Sequence, residues 1–221
     1  MPRLLHQNYA SIHFTPVYRK LPKIVIITKL NIFKQINISE PDHSKILSNL
    51  LDPKGTHGHK DLFLKIFFQV FIPKMEIDKN KKWIVSTEKD RYDIRIKTQD
   101  NSKIIIIENK SNNAKDGTNQ LYRYWFDGIY IPQFNRNLNR LECFSKIIYL
   151  SPSDYKQPEE QSISRPDYIK DKNMPEKVPL EILQIAFFNV QIIKWLDLCI
   201  EKIDNNSDVY YYLNQYRDFW R

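Results

Sequence analysis

The sequence predicts an α/β domain in which helices flank a mixed central β-sheet, and three observations carry this prediction. Helix patterns come before a group of strand patterns, and strand and helix patterns alternate after it. Four consecutive isoleucines at 104–107 are typical of a strand that is buried on both faces. The polar segment 99–102, between two strand patterns, is typical of a hairpin turn.

The N-terminal part contributes an arm and the first helices. Residues 1–22 hold scattered prolines and aromatics, so we expect an irregular arm there and one domain over 23–221. Mixed apolar spacing predicts a helix within 24–38 that leads into a turn. Ser39 then caps the next helix, because Pro41 suits its first turn and Asp42 complements its dipole.

The remaining elements follow from apolar periodicity and from turn residues. The first capped helix carries an apolar stripe and ends at the turn 52–55. After it we predict a very apolar helix at 60–71, strands at 83–88, 92–98 and 103–110, a helix at 119–126, a strand at 146–150, a long loop at 151–179, a strand at 181–187, and helices at 190–203 and 209–220.

Length and composition limit the class of protein. The chain has 221 residues, of which 42% are hydrophobic, enough for one domain with a substantial core. No apolar run approaches the ~20 residues that a membrane span requires. The N-terminus lacks the apolar segment of a secretory signal, and Cys143 and Cys199 have no partners at metal or redox spacing. We therefore expect a cytoplasmic protein that does not enter a membrane.

The charge balance permits a nucleic-acid partner. There are 34 Lys and Arg against 26 Asp and Glu, a formal net charge of +8. Basic side chains near phosphates gain from counterion release. The chain is also rich in Lys, Asn and Ile and has four glycines, which is the composition of an AT-rich genome. That composition raises the charge without any function, so the charge alone does not establish nucleic-acid binding.

The hairpin brings two acidic residues together. Side chains alternate between faces along a strand, so Glu108 and Lys110 point the same way. A two- or four-residue loop within 99–102 pairs Asp93 with Glu108, with Cβ atoms about 5 Å apart, whereas a three-residue loop sends Asp93 to the other face. Two carboxylates so close repel each other unless a cation lies between them. Mg²⁺ or Mn²⁺, which prefer oxygen ligands, would suit that position.

An alternative is that these acids are ordinary charges at a strand end. Arg91, Arg95 and Lys110 could neutralise Asp93 and Glu108 there. The isoleucine run favours a functional site instead, because charged groups at the end of a fully buried strand usually serve one.

Asp93, followed fifteen residues later by Glu108-Asn109-Lys110, resembles the D…ExK core of the PD-(D/E)XK nuclease superfamily. The stretch before Asp93 lacks the Pro-Asp pair of the family motif. Further segments, from about residue 31 to the C-terminus, resemble blocks of one bacterial branch in the same order. These segments are Glu40-Pro41-Asp42-His43-Ser44, Leu50-Leu51-Asp52-Pro53, His57-Gly58, Arg91-Tyr92-Asp93-Ile94, Gln120-Leu121-Tyr122-Arg123-Tyr124 and Trp195-Leu196-Asp197-Leu198-Cys199.

The resemblance implies a restriction-endonuclease-like core and a metal-dependent nuclease of double-stranded DNA, with a role in defence against foreign DNA. By that resemblance, Asp93 and Glu108 hold Mg²⁺ or Mn²⁺ with help from the Asn109 backbone carbonyl. Glu40 matches an additional acid of the superfamily, which binds a second metal ion or its water. The Asn109 side chain faces away from the acids, so we expect it to be structural.

The same resemblance gives expected roles to Lys110 and Gln120, and the positions of Arg91, His43 and Tyr124 make them further candidates. Lys110 would position or activate the water and offset charge on the scissile phosphate, and its removal should abolish most cleavage with little change in folding. Gln120 matches a frequent active-site position. Arg91 is a candidate substrate contact. His43 could contact substrate or pack against a helix, and Tyr124 could stack on a base or pack against the sheet.

Two other functions remain open at this point. A non-catalytic domain of the same fold would bind nucleic acid or a protein partner, although Asp93, Glu108 and Lys110 are all present. A ribonuclease toxin would share the site and differ in its substrate groove. A homodimer is an assembly that the chain could form.

Overall fold

The computed structural model describes residues 30–75, 77, 81–89, 91–135 and 143–221. The chain divides into the units Met1–Leu30 and Asn31–Arg221, and the description that follows concerns the second. The predicted arm at 1–22, its boundary with the domain and the first residues of the helix predicted at 24–38 lie outside the described residues.

A five-stranded mixed sheet forms the centre of the fold, with strand order β1-β2-β3-β4-β5. β1, β2 and β3 pair antiparallel, while β3, β4 and β5 pair parallel. This confirms the predicted α/β fold with a mixed sheet flanked by helices. The strands are β1 (Trp83–Lys89), β2 (Tyr92–Thr98), β3 (Lys103–Asn109), β4 (Phe144–Ser151) and β5 (Leu183–Phe187).

Helices cover both faces of this sheet. Two of them are widened by a five-residue π-helical segment, Phe126–Tyr130 and Phe188–Ile192. The helices are α1 (Glu40–Leu51), α2 (Leu62–Phe71), α3 (Gln120–Trp125), α4 (Ile131–Phe134), α5 (Glu160–Ile163), α6 (Ile193–Ile200) and α7 (Asp208–Trp220). None of the helices in the described ranges is long and apolar enough to cross a membrane.

Helix α1 begins as the sequence predicts. The Ser39 hydroxyl accepts a hydrogen bond from the Asp42 backbone N–H at 3.4 Å, and the Asp42 carboxylate accepts one from the Ser39 N–H at 3.4 Å. This reciprocal capping box satisfies two backbone donors at the helix start. It fixes Glu40 as the first residue of α1, at the end of the helix that meets the sheet.

The β2–β3 hairpin has the predicted register. Ile94 pairs with Ile107 and Lys97 with Ile104, as a two- or four-residue loop requires. Asn101 takes a positive φ of 58° in the turn, a conformation that Asn tolerates better than most residues. Because opposite residues share a face, Asp93 and Glu108 belong to the same side of the hairpin.

The isoleucine run of β3 separates two apolar cores. All four side chains, Ile104 to Ile107, are 0–1% exposed, which confirms burial on both faces. Ile105 and Ile107 belong to the core that includes residues of α1, α2, α6 and α7. Ile104 and Ile106 belong to the second core, formed with α3 and the following π segment. The end of β3 therefore lies between a helix on each face.

The helix predicted at 119–126 continues further than the sequence indicates. After α3, the π segment Phe126–Tyr130 leads directly into α4. A Cβ atom at Gly128 would lie 2.6 Å from Ile106 Cδ1 and 2.9 Å from the Tyr92 hydroxyl. Only glycine allows this close approach, so the widened turn presses the helix backbone onto the sheet.

The described part of the helix predicted at 24–38 is a single 3₁₀ turn, Ile32–Lys34, so that prediction is wrong from residue 30 onward. Asn31 Nδ2 donates to the Gln215 carbonyl of α7 at 2.8 Å. Phe33 is buried against Tyr212 and Tyr216 of the same helix. These tertiary contacts hold the segment in place and outweigh its local helical pattern.

Candidate active site

A cleft of about 150 Å³ lies where α1 begins, β3 ends and α3 begins. We call it the central cleft. It brings together six residues that the sequence predicts for the site and two neighbours: Glu40, Pro41, Ser44, Asp93, Glu108, Asn109, Lys110 and Gln120.

Glu108 and Lys110 form a buried ion pair at the centre of the cleft. Lys110 Nζ lies 2.6 Å from Glu108 Oε1, and the two side chains are 5% and 1% exposed. Glu108 Oε2 is buried and makes no hydrogen bond of ordinary distance and angle among the described residues, although the Tyr124 hydroxyl lies close enough to the Glu108 carboxylate to oppose the rise in its pKa. A buried carboxylate oxygen without a partner is costly, so this atom is suited to receive a ligand.

Burial and charge act in opposite directions on this pair. Burial raises the pKa of Glu108, although the Lys110 ammonium opposes that shift. Burial would lower the pKa of Lys110, but the carboxylates of Glu108, Asp116 and Asp93 outweigh it and raise the pKa above its ordinary value. Lys110 is therefore an ammonium at neutral pH, a donor of hydrogen bonds and positive charge.

Asp116, which the sequence analysis did not single out, holds the lysine from its other side. Its buried Oδ1 lies 3.6 Å from Lys110 Nζ and 3.8 Å from Lys156 Nζ. The Tyr149 hydroxyl donates to the same oxygen at 2.8 Å, and the Glu159 backbone N–H donates to Oδ2 at 2.8 Å. Asp116 is thus fixed on both oxygens and acts as a positioning residue for Lys110.

Asp93 lies beside the end of β3. Its Oδ2 accepts a hydrogen bond from the Asn109 backbone N–H at 2.7 Å. The Asn109 side chain points away from the acids, toward α1, where Nδ2 donates to the Glu40 carbonyl at 2.8 Å and to Ser44 Oγ at 3.0 Å. This agrees with the structural role expected for the Asn109 side chain, since these bonds tie α1 to β3.

Glu40 lines the central cleft, as the sequence predicts. Its Oε1 accepts hydrogen bonds from the backbone N–H groups of Asn112 at 2.9 Å and Ala114 at 3.3 Å. The loop after β3 therefore holds this carboxylate at the cleft.

Gln120 connects Lys110 to Tyr124. Its Oε1 accepts from Lys110 Nζ at 3.4 Å and from the Gly117 N–H at 3.0 Å, and its Nε2 donates to the Tyr124 hydroxyl at 3.1 Å. Tyr124 is 4% exposed and meets the Tyr92 ring edge to face at 5.0 Å. Burial raises the pKa of Tyr124, with the Glu108 and Asp93 carboxylates adding to the shift. The buried ring fits the packing alternative, and base stacking would need it exposed.

His43 lies in the core and is 1% exposed. Its Nδ1 shares a hydrogen bond with the Tyr216 hydroxyl at 3.0 Å, and its ring packs against Phe188, Phe219 and Trp220. A substrate contact would need a ring that reaches solvent or the cleft. The alternative of helix packing, which the sequence left open, describes the position of His43.

Arg91 lies in a second cavity of about 150 Å³ beside the central cleft. We call it the arginine pocket. Gln120 lines both cavities, and the whole lining is Arg91, Tyr92, Gln120, Arg123, Tyr124 and Asp127. The sequence analysis singled out Arg91 and Tyr124 as possible substrate contacts but gave no role to Arg123 or Asp127.

The oxygen donors of the central cleft fit a hard divalent cation. Among the described residues, no group of three or more His, Cys, Asp and Glu side chains is close enough to hold a metal ion. Mg²⁺ does not need such a group, because it commonly binds one or two carboxylates and keeps waters and substrate phosphates as its other ligands. Asp93 and the unpartnered Oε2 of Glu108 supply ligands of that type.

Comparison with known proteins gives one match. A family model described as the PD-(D/E)XK nuclease superfamily matches residues 30–218. Neither the curated proteins nor the solved structures gave a match.

Proposed function

Because the chain belongs to the PD-(D/E)XK nuclease superfamily, we propose that it hydrolyses phosphodiester bonds of double-stranded DNA with the help of Mg²⁺ or Mn²⁺. The observation that carries the proposal is the unpartnered Oε2 of buried Glu108 in a cleft that also contains Glu40, Asp93, Lys110 and Gln120. A buried acid with an open oxygen beside a held ammonium suits the reaction of a negatively charged ester.

In this proposal Asp93 and Glu108 hold the cation, with the Asn109 carbonyl as a third donor and Glu40 as a ligand of a second ion or of its water. A bound divalent cation supplies Lewis acidity toward the phosphoryl oxygen and lowers the pKa of bound water. The chain itself supplies the ligands, excludes bulk water from the buried acids and keeps the donors in fixed positions.

We assign Lys110 the role of a fixed cation. Its raised pKa keeps it protonated, so it is suited to donate a hydrogen bond to the scissile phosphate and to offset the charge that develops there. Of the roles expected from the sequence, we propose positioning of water and charge compensation, which suit an ammonium. Gln120 orients Lys110 through its 3.4 Å contact.

The biological setting is also a proposal. We propose action against foreign DNA on family analogy alone. We also propose a cytoplasmic location, the one expected from the sequence.

The test is cleavage of plasmid, linear duplex, single-stranded DNA and RNA with Mg²⁺, Mn²⁺ or EDTA. We expect metal-dependent cleavage of duplex DNA that Asp93→Asn and Glu108→Gln abolish, and that Lys110→Ala lowers by about 10²–10³-fold. Asp167→Asn is the matched control, because Asp167 is exposed and outside both cavities.

Three outcomes contradict this proposal in different ways. Cleavage of RNA alone would favour the ribonuclease alternative. Binding of DNA without cleavage under any metal condition would favour the non-catalytic alternative. Full cleavage by Glu108→Gln would place the reaction outside the central cleft.

A further inference from the structure

We propose that the arginine pocket binds a phosphate group of the nucleic-acid strand, next to the phosphate that is cleaved in the central cleft. The inference rests on the proposed function for the identity of the ligand. It makes Arg91, a candidate substrate contact from the sequence, and Arg123 phosphate-binding residues. The site then has a second contact along the strand.

The charge of the pocket favours an anion. Two guanidinium groups, Arg91 and Arg123, face one carboxylate, Asp127. Both guanidinium groups act on the Asp127 carboxyl and oppose the rise that burial causes in its pKa, so one of the two positive charges is offset and the pocket keeps a net positive charge. The ion pairs that arginines form among the described residues are those of Arg217 and Arg221. Arg is well suited to phosphate, because its planar fork of N–H donors matches two phosphate oxygens.

The hydrogen bonding of Arg123 also points to a missing partner. Its Nε is buried and makes no hydrogen bond among the described residues, although the side chain is only half-buried as a whole. Buried donors in folded proteins are nearly always paired, so an unpaired one at a cavity wall calls for a ligand or an ordered water.

The backbone at Arg91 is held in an uncommon conformation. Its φ is 68°, in the left-handed region that glycine adopts at little cost and that a long side chain rarely adopts. Arg91 lies between the end of β1 and the start of β2, where a glycine would relieve this strain. Strained residues of this kind cluster at ligand sites. The conformation of Arg91 therefore supports a ligand site at the pocket that Arg91 lines.

The two cavities are neighbours along one wall. Gln120 contacts Lys110 through Oε1 and Tyr124 through Nε2, so a single side chain bridges the cleft and the pocket. A strand whose scissile phosphate lies at Lys110 can cross Gln120 and reach Arg123. The π segment Phe126–Tyr130, which carries Asp127, forms part of the same wall, and π turns occur frequently at functional sites.

The experiment measures binding without cleavage. The full chain and its variants are titrated with a short fluorescent duplex DNA in EDTA, over a range of salt concentrations, by anisotropy. Each phosphate contact contributes about 0.9 to the slope of log K against log[salt] for duplex DNA. We expect the slope to be shallower by about 0.9 in Arg123→Gln and in Arg91→Gly, and unchanged in the control Lys172→Ala, which removes one exposed positive charge.

Two variants separate the effect of charge from an effect on folding. Arg123→Lys should keep the slope of log K against log[salt], because lysine keeps the positive charge while it lacks the planar fork of N–H donors. Arg91→Gly removes the charge and relieves the positive φ, so it should melt no lower than the wild type. Slopes in Arg123→Gln and Arg91→Gly equal to that of the wild type, a loss of slope of the same size in Lys172→Ala, or no binding of the duplex by the wild type would each overturn the proposal.

The phosphate has two sources, which two DNA substrates distinguish. If a terminal phosphate fills the pocket, the change of slope appears only with a 5′-phosphorylated duplex. If an internal phosphodiester fills it, the change also appears with 5′-hydroxyl ends. Because no metal is present, this result is independent of the proposed reaction: metal-dependent cleavage with unchanged slopes would overturn the pocket alone, and changed slopes without cleavage would overturn the nuclease alone.

Discussion

Lys110 stabilises the folded chain as well as the site, because it lies between two buried carboxylates. Glu108 contacts its Nζ at 2.6 Å and Asp116 at 3.6 Å, and the two acids are 1% and 0% exposed. From the sequence we expected its removal to change folding little. The structure leads to a different prediction, since removing one partner of a buried ion pair leaves an uncompensated charge.

We therefore expect Lys110→Ala to lose about 3–5 kcal/mol of unfolding free energy in EDTA, the usual effect of breaking a buried pair. Mn²⁺ should return part of this loss, because a cation beside Glu108 replaces the missing charge. Urea unfolding with and without Mn²⁺ measures both effects, with Lys172→Ala as the control. An unchanged free energy in EDTA would mean that the two acids are stable without Lys110.

The sequence predicts the charged residues of the site better than the residues that hold them in place. Asp93, Glu108 and Lys110 are tied to the periodicity of two strands, and periodicity can be read directly from the chain. Asp116 lies in the loop after β3 and meets Lys156 and Glu159 from a distant loop. No local pattern encodes such a contact. The one indication in the sequence is Lys110 itself, because a lysine beside Glu108 at the end of a buried strand can bind a second acid.

Among the elements, α1 and α7 are joined by a histidine that is sensitive to pH. Burial lowers the pKa of His43 to about 4, although the Asp42 carboxylate opposes the shift. The Nε2 atom is buried and has no partner among the described residues, so a proton placed there would have no acceptor. The neutral ring bonds Tyr216 of α7 and holds the two helices together.

We expect this histidine to destabilise the protein in mild acid. Its pKa is lower in the folded state than in the unfolded chain, so the stability is complete above about pH 6.5 and is lost as the pH falls toward 4, up to about 3 kcal/mol. His43→Gln keeps a hydrogen-bonding group and cannot titrate in this range. Urea unfolding at several pH values should give a shallower dependence for the variant, and identical dependences would show that His43 is not responsible.

The hairpin and the helix after it differ in how far local sequence determines them. The β2–β3 register depends on the loop length and on the alternation of side chains, and both are local. The π segment Phe126–Tyr130 depends on Gly128 meeting Ile106 of another element. A helical pattern with one glycine gives no sign of such a contact. The sequence therefore predicts that the helix ends at residue 126, whereas in the structure it continues to Phe134.

For the molecule as a whole, the sheet places the site between two separate cores. Helix α1 packs in one core and α3 in the other, and both begin beside the end of β3. Glu40 reaches the central cleft from the α1 side, and Gln120 reaches it from the α3 side. A ligand bound in this cleft contacts elements of both cores, so its binding should raise the stability of the entire domain.

The net charge of +8 is also a property of the whole molecule. From composition, the charge permits DNA binding but does not establish it, because the composition of an AT-rich genome also raises it. The structure favours a functional reading for a small part of it, the guanidinium groups of Arg91 and Arg123 in the arginine pocket. The remaining charge has no assigned partner, and the salt dependence of the Arg123 and Lys172 variants separates the two contributions.

The last prediction concerns the coupling of metal binding to global unfolding. A ligand that binds only the folded state at 100 times its dissociation constant adds about 2.7 kcal/mol of stability. For a domain of this size each kcal/mol raises the melting temperature by about 2–4 °C, so saturating Mn²⁺ or Mg²⁺ should raise it by about 5–10 °C. Asp93→Asn should remove this rise, because it removes one of the two carboxylates proposed to hold the first ion, whereas Asp167→Asn should keep it. Potassium chloride at equal ionic strength controls for screening. An equal rise in Asp93→Asn and in the wild type would place the stabilising ion outside the central cleft, and the metal ligands proposed above would then be wrong.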